Sequence, residues 1–174
     1  MLDVYFVTQV GNNELWRNLG EGKFENITDA SGTAVGDRIS VAASFADTDN
    51  DGDADLYVTT VREGNVLFEN NGKGIFTDIT AESGVGYKGH SSSPVFFDFD
   101  RDGLLDIFLT NVGKYTLDEQ APTTAIKDLD ETYHLALNDG FSGHLKPERA
   151  ERSILYKNMG GNRFQDVSAK VNLS

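Results

Sequence analysis

Two nine-residue stretches hold the residues best suited to chemistry: Asp47, Asp49, Asp51, Gly52 and Asp55, then Asp98, Asp100, Asp102, Gly103 and Asp106. Both read Asp-x-Asp-x-Asp-Gly-x-x-Asp. Carboxylates at alternate positions of a tight loop converge on one point, and glycine at the sixth position permits the sharp turn. The seventh residue offers a backbone carbonyl and the ninth a last carboxylate. Such a set of hard oxygens suits calcium, which sits about 2.3–2.6 Å from roughly six to eight of them, whereas magnesium keeps its waters. The expected ligands are Asp47, Asp49, Asp51 and Asp55 with the Asp53 carbonyl, and Asp98, Asp100, Asp102 and Asp106 with the Leu104 carbonyl. Two Ca2+ sites follow. Without a metal, four clustered carboxylates would repel strongly. Val58 and Leu109 stand where an EF-hand has its bidentate Glu, and the flanks read as strands, so that motif is excluded.

The elements that must hold these loops form a repeat. Each loop follows a small-to-aromatic strand (Val41–Phe45, Val95–Phe97) and precedes a β-rich one (Leu56–Thr59, Ile107–Thr110). Three further segments align with one another. Leu15-Trp16-Arg17-Asn18, Leu67-Phe68-Glu69-Asn70 and Leu155-Tyr156-Lys157-Asn158 each lead through a Gly-rich turn to a strand opened by Phe24, Phe76 or Phe164. Asp47 to Asp98 spans 51 residues and Asn18 to Asn70 spans 52, while Asn70 to Asn158 spans 88 because of an insertion. One unit is therefore strand, loop, strand, strand, turn, strand. Four strands in about 50 residues is the signature of a β-propeller blade. Strands apolar on both faces agree, since a blade is sandwiched between neighbours. The expected fold is all-β, a propeller arc of about three blades built from four-stranded antiparallel sheets. Residues 1–30 form an incomplete blade. A second blade covers 37–80 with loop 47–55, and a third covers 90–168 with loop 98–106 and insertion 111–152.

The loops, followed by Leu67-Phe68-Glu69-Asn70-Asn71-Gly72 through Phe76-Thr77-Asp78-Ile79-Thr80, resemble the FG-GAP/VCBS repeats of integrin-α-type propellers. The style is most similar to the bacterial branch often linked to an ASPIC/UnbV domain. The Phe-Gly and Gly-Ala-Pro signatures of the eukaryotic version are absent. In this register Asp3 aligns with Asp55 and Asp106, just past the place of another loop. Propellers close with about four to eight blades, so the expectation is a fragment of a longer protein, or an arc whose remaining blades come from a partner subunit.

Composition narrows the function. A formal charge of −13, which two calcium ions would bring to −9, argues against nucleic acid and anionic membrane as partners. No cysteine is present, which removes disulfides, thiolate metal sites and Cys nucleophiles. No apolar run approaches the ~18–20 residues of a membrane span, and the N-terminus reads as a strand rather than a signal peptide. Eighteen glycines against three prolines fit many tight turns.

His90, His134 and His144, the only imidazoles, show neither triad nor zinc-pair spacing and are expected as lone surface residues. Within the insertion, Ile126, Leu129, Tyr133 and Leu137 give a helical period, so a short helix is expected over 125–137. Asn138–His144 reads as a turn. Two functions remain open. One is a non-catalytic, calcium-stabilised module that binds a protein or glycan ligand in a secreted or surface protein, outside the cell or in the periplasm. There, extracellular calcium modules bind at roughly 10⁻⁴–10⁻³ M. The other is a domain or accessory subunit of a larger enzyme or redox assembly whose chemistry lies elsewhere.

Overall fold

The computed structural model describes residues 2–36, 38–122, 132–136 and 146–173. Three antiparallel sheets follow one another along the chain. The first contains β1 (Val4–Phe6), β2 (Glu14–Gly20) and β3 (Lys23–Asn26). The second is a meander of β4 (Ser40–Ala46), β5 (Asp55–Thr60), β6 (Val66–Asn70) and β7 (Phe76–Asp78). The third pairs β8 (Ser91–Phe97) with β9 (Asp106–Asn111), then β12 (Ile154–Asn158) and β13 (Phe164–Asp166). The register of β1–β2, with Tyr5 opposite Leu15, repeats in β5–β6, where Tyr57 faces Leu67. These are blade-like sheets in an arc that is not closed.

Strand periodicity explains how one sheet serves two cores. All six residues of β5 are buried, and successive side chains leave opposite faces. Leu56 and Val58 pack with Leu15, Ile27, Val66, Phe68 and Phe76 between the first two sheets. Tyr57 and Leu67 pack with Val85, Ile107, Leu109, Ile154 and Tyr156 between the second and third. Each such aliphatic or aromatic burial contributes about 1.5–3 kcal/mol, so the interfaces between blades are where the apolar residues do most for stability. Burial on both faces rules out a sheet with one wet side.

Three short elements close the blades. After β3 and β7 come the helical turns α1 (Thr28–Ser31) and α2 (Thr80–Ser83), and after β13 a 3-10 turn, Ser168–Val171. The amides of Leu15, Leu67 and Leu155 donate to Thr28 Oγ1, Thr80 Oγ1 and Ser168 Oγ at 2.9–3.0 Å, which locks each turn against the third strand of its blade. Gly32 ends α1 at φ +76°, where a Cβ would sit 3.0 Å from the Phe76 carbonyl. Glycine is needed there on both counts.

The outward face of the first sheet is apolar. Val4, Phe6 and Phe24 are 37–53% exposed and, with Trp16, line a depression of about 290 Å³. On the third sheet Val95 and Phe97 point away from the core and are 49% and 41% exposed.

Residues 112–151 form a separate unit. It contains the hairpin β10 (Thr116–Pro122) and β11 (Thr132–Ala136) and a 3-10 turn at Pro147–Arg149. The helix expected over 125–137 is not what Thr132–Ala136 adopts. Cross-strand pairing with β10 outweighs the helical spacing there, and Thr132 and Tyr133 favour a strand. The rest of that stretch, and the turn expected at Asn138–His144, lie outside the described residues.

His90 also departs from expectation. It is buried at 2% exposure beside β8, where its backbone bridges Val61. The first strand of this blade starts in the interior, so its entry residue is enclosed. The side chains of His134 and His144 lie outside the described ones.

Candidate metal centre

Both acidic loops join the first two strands of a four-stranded blade. Backbone geometry makes each one tight. Asn50 and Arg101, at the fourth position, have φ +63°, and Gly52 and Gly103, at the sixth, have φ +97° and +89°. Amides from the far side of the turn then fix the carboxylates. Asp47 accepts from Asp51 and Gly52 at 3.2 and 3.1 Å, and Asp98 accepts from Asp102 and Gly103 at 3.1 and 3.0 Å. At the seventh position, Asp53 and Leu104 donate their amides to Asp51 Oδ1 and Asp102 Oδ1.

The carboxylates converge. Ligand oxygens of Asp47, Asp49 and Asp51 lie within 4.8 Å of one another, and so do those of Asp98, Asp100 and Asp106. That separation lets one ion reach all three at the calcium–oxygen distance of about 2.3–2.6 Å. The donor chemistry and spacing fit calcium. Asp55 stands outside the first group and Asp102 outside the second.

The ninth-position carboxylates carry a second task. Asp55 and Asp106, 1% and 0% exposed, accept from the loop's second residue (Thr48 or Phe99) and from the third strand (Asn70 or Asn158). Asp3 makes the corresponding bond to the amide of Asn18 at 2.8 Å. The asparagine returns the contact. Nδ2 of Asn18, Asn70 and Asn158 donates to the carbonyls of Leu2, Ala54 and Leu105 at 3.0–3.1 Å, and Oδ1 accepts from Gly20, Gly72 and Gly160. Each loop end is therefore tied to the hairpin turn two strands away.

A family model for the FG-GAP-like repeat matches residues 1–58 and again 47–109, so residues 1–109 of the 174 are covered. The chain belongs to this repeat family. No curated protein matches it. No helix among the described residues is long and apolar enough to cross a membrane. FG-GAP-like repeats are in general interaction modules, and they often bind calcium.

Within these FG-GAP-like blades several residues that hold the loops escaped the motif. Thr48, 1% exposed, donates through Oγ1 to Asp55 and reaches Asn162 of the next blade. Asn162, in the β12–β13 turn at φ +56°, also donates to Glu69 Oε1 at 2.9 Å and Asp49 Oδ2 at 3.2 Å. Asn158 Nδ2 donates to the Thr48 carbonyl at 2.7 Å. The third blade thus grips the loop of the second. Asn13 and Asn65 form another pair 52 residues apart, with Nδ2 donating to Ser40 and Ser91 of the following blade at 2.9 Å. Their spacing equals that of the marker asparagines, the one signal that exposes them in sequence.

Electrostatics differ between the loops. Burial raises Asp49 above 3.8, the Asp51 amide opposes, and the charges of Asp55, Asp51 and Glu69 raise it further. Burial also raises Asp55, against hydrogen bonds from Thr48 and Asn70. In the second loop the hydrogen bond from Lys157 lowers Asp102, and those to Asp100 and Asp102 raise Lys157. Asp49 and Asp55 of the first loop are thus held above the ordinary carboxylate value, whereas Asp102 of the second is held below it by a cation.

Proposed function

We propose that this chain is a non-catalytic, calcium-stabilised propeller module that presents a rigid surface to a protein or glycan in a secreted or surface protein. The observation that carries the reading is the repeated loop. Two successive blades place three converging carboxylates at the same hairpin, braced by the same asparagine ladder. Calcium supplies the positive charge that such a cluster lacks. The side chains Asp47, Asp49, Asp51 and Asp55, and Asp98, Asp100, Asp102 and Asp106, hold it, with the carbonyls of Asp53 and Leu104 completing the shells. The role is to clamp the first strand of each blade to the second. A net charge of −13 supports a setting where millimolar calcium is available.

Two surfaces support an interaction role. A groove of about 680 Å³ between the second and third blades is lined by Asp78, Thr80, Glu82, Tyr87 and Tyr156. The half-buried Tyr87 ring beside acidic acceptors suits the apolar face and hydroxyls of a sugar. The apolar outer faces of the first and third sheets suit further blades, supplied by more chain or by a partner subunit.

Calorimetric melting of metal-stripped protein tests the clamp. EDTA should lower Tm by several degrees and millimolar calcium restore it, while Asp47→Asn and Asp98→Asn should each remove part of the gain. A melting curve indifferent to both chelator and calcium would refute the reading. A glycan array probed with the calcium-loaded protein, with Tyr87→Ala as control, tests the groove.

A further inference from the structure

The two loops share a motif but differ in charge. Residues 47–55 contain five aspartates and no basic residue, and Glu69 on β6 adds a sixth carboxylate, joined to Asp49 through the Asn162 amide. Residues 98–106 contain four aspartates and Arg101. At the place where β6 carries Glu69, immediately before the ladder asparagine, β12 carries Lys157. The Lys157 ammonium donates to Asp100 Oδ2 and, at 2.7 Å, to Asp102 Oδ2, and it lies 5.7 Å from the centre of the Phe99 ring. Its side chain is 24% exposed. The local formal charge is −6 around the first loop and −2 around the second, counting Arg101 and Lys157.

We propose that Lys157 is a tethered counter-ion of the second loop, which makes the two calcium sites unequal. The first loop depends on metal. The second is partly neutralised by its own chain, and the lysine must leave the Asp100 and Asp102 oxygens it holds before those oxygens can serve an ion. This rests on the calcium reading above.

The physical reason lies in ligand charge. Calcium affinity in loop sites is tuned by the number of ligand charges and by rigidity, and the first loop exceeds the second on charge. An exposed ion pair would be a weak competitor. Lys157 is a stronger one because it touches two carboxylates at once, is mostly enclosed, and shares the face of an aromatic ring. In the first loop, Glu69 reverses the sign at that position and favours the ion.

Calorimetric calcium titration of the metal-stripped full chain, paired with melting in EDTA, tests the proposal. The wild type should give two phases, the tighter lost in Asp51→Asn and the weaker lost in Asp98→Asn. Lys157→Gln should tighten the weaker phase about tenfold, as expected when one competing charge is removed, and lower Tm in EDTA. Glu69→Lys should transplant the property, weakening the tighter phase and raising Tm in EDTA. A weaker phase unchanged within about twofold in Lys157→Gln, an unchanged EDTA melt, or a first site indifferent to Glu69→Lys each overturns the proposal. In those cases calcium binding by the wild type keeps the earlier reading intact. Absence of calcium heat in the wild type and every variant defeats that reading, and the proposal falls with it.

Discussion

Replacing Asn158 by alanine removes a fully buried side chain that holds three partners. Its Nδ2 serves the carbonyls of Thr48 and Leu105, and its Oδ1 accepts from Gly160. Alanine leaves all three without that partner. A buried polar group left unsatisfied costs about 1–3 kcal/mol. Thr48 is 1% exposed, so its carbonyl bears the high end, while Leu105 and Gly160 are half-buried and reach water. The expected loss is ~3–5 kcal/mol. Asn18 and Asn70 occupy the same position of the repeat, but their side-chain bonds to Leu2 and Ala54 lie at the surface. The same substitution there should cost ~1 kcal/mol or less, because water takes over. At ~2–4 °C per kcal/mol for a chain of this size, Asn158→Ala should drop Tm by ~10–15 °C and the other two by a few degrees. Thermal and urea unfolding of the three variants, followed by circular dichroism in calcium and again in EDTA, reads this directly. Equal losses at the three positions would show that motif membership, rather than burial, sets the energy, and would refute the reasoning.

Acid should weaken the third blade through Asp166. Burial raises that carboxyl, but hydrogen bonds from Arg152 and Ser168 outweigh it and bring it down to about 2. A carboxyl held below its ordinary 3.8 contributes stability above that pH and loses it as pH falls towards 2. The melting advantage of wild type over Arg152→Gln should therefore be present at neutral pH and vanish over that window; an advantage that persists in strong acid would contradict it. Glu21 sits in the β2–β3 turn at φ +53° with its side chain 88% exposed. Glu21→Asn should gain ~0.5–1 kcal/mol by relieving left-handed strain, and an unchanged or lower Tm would count against that account.

The parts of the fold written at one period were readable before any coordinates. Leu67 and Phe68 point to opposite cores as their alternation required, and Asp47 and Asp98 open the same loop in both blades. What spacing does not encode is contact across blades. Asn162 lies 113 residues from Asp49, inside a Gly-rich turn like the others, and nothing local distinguishes it. Nothing in the sequence marks Lys157, since Arg17 and Glu69 occupy the same place of the repeat. The absence of triad or zinc-pair spacing points to His90 as a lone surface residue, yet the packing of β8 against its neighbour encloses it. Local periodicity misled at Thr132–Ala136 because pairing between two distant segments decides a hairpin.

Trp16, the sole tryptophan, stands on the outward face of the first sheet beside Val4, Phe6 and Phe24, with its indole N–H on Glu14 at 2.8 Å. That position turns the chain into its own fluorimeter. Any surface that settles on this face strips water from the indole, shifts its emission to the blue and shields it from a soluble quencher. Among the described tyrosine side chains, Tyr57 and Tyr156 are buried and Tyr5, Tyr87 and Tyr115 are half-buried in different parts of the chain, so they report on no single place. The tryptophan does, and it needs no label.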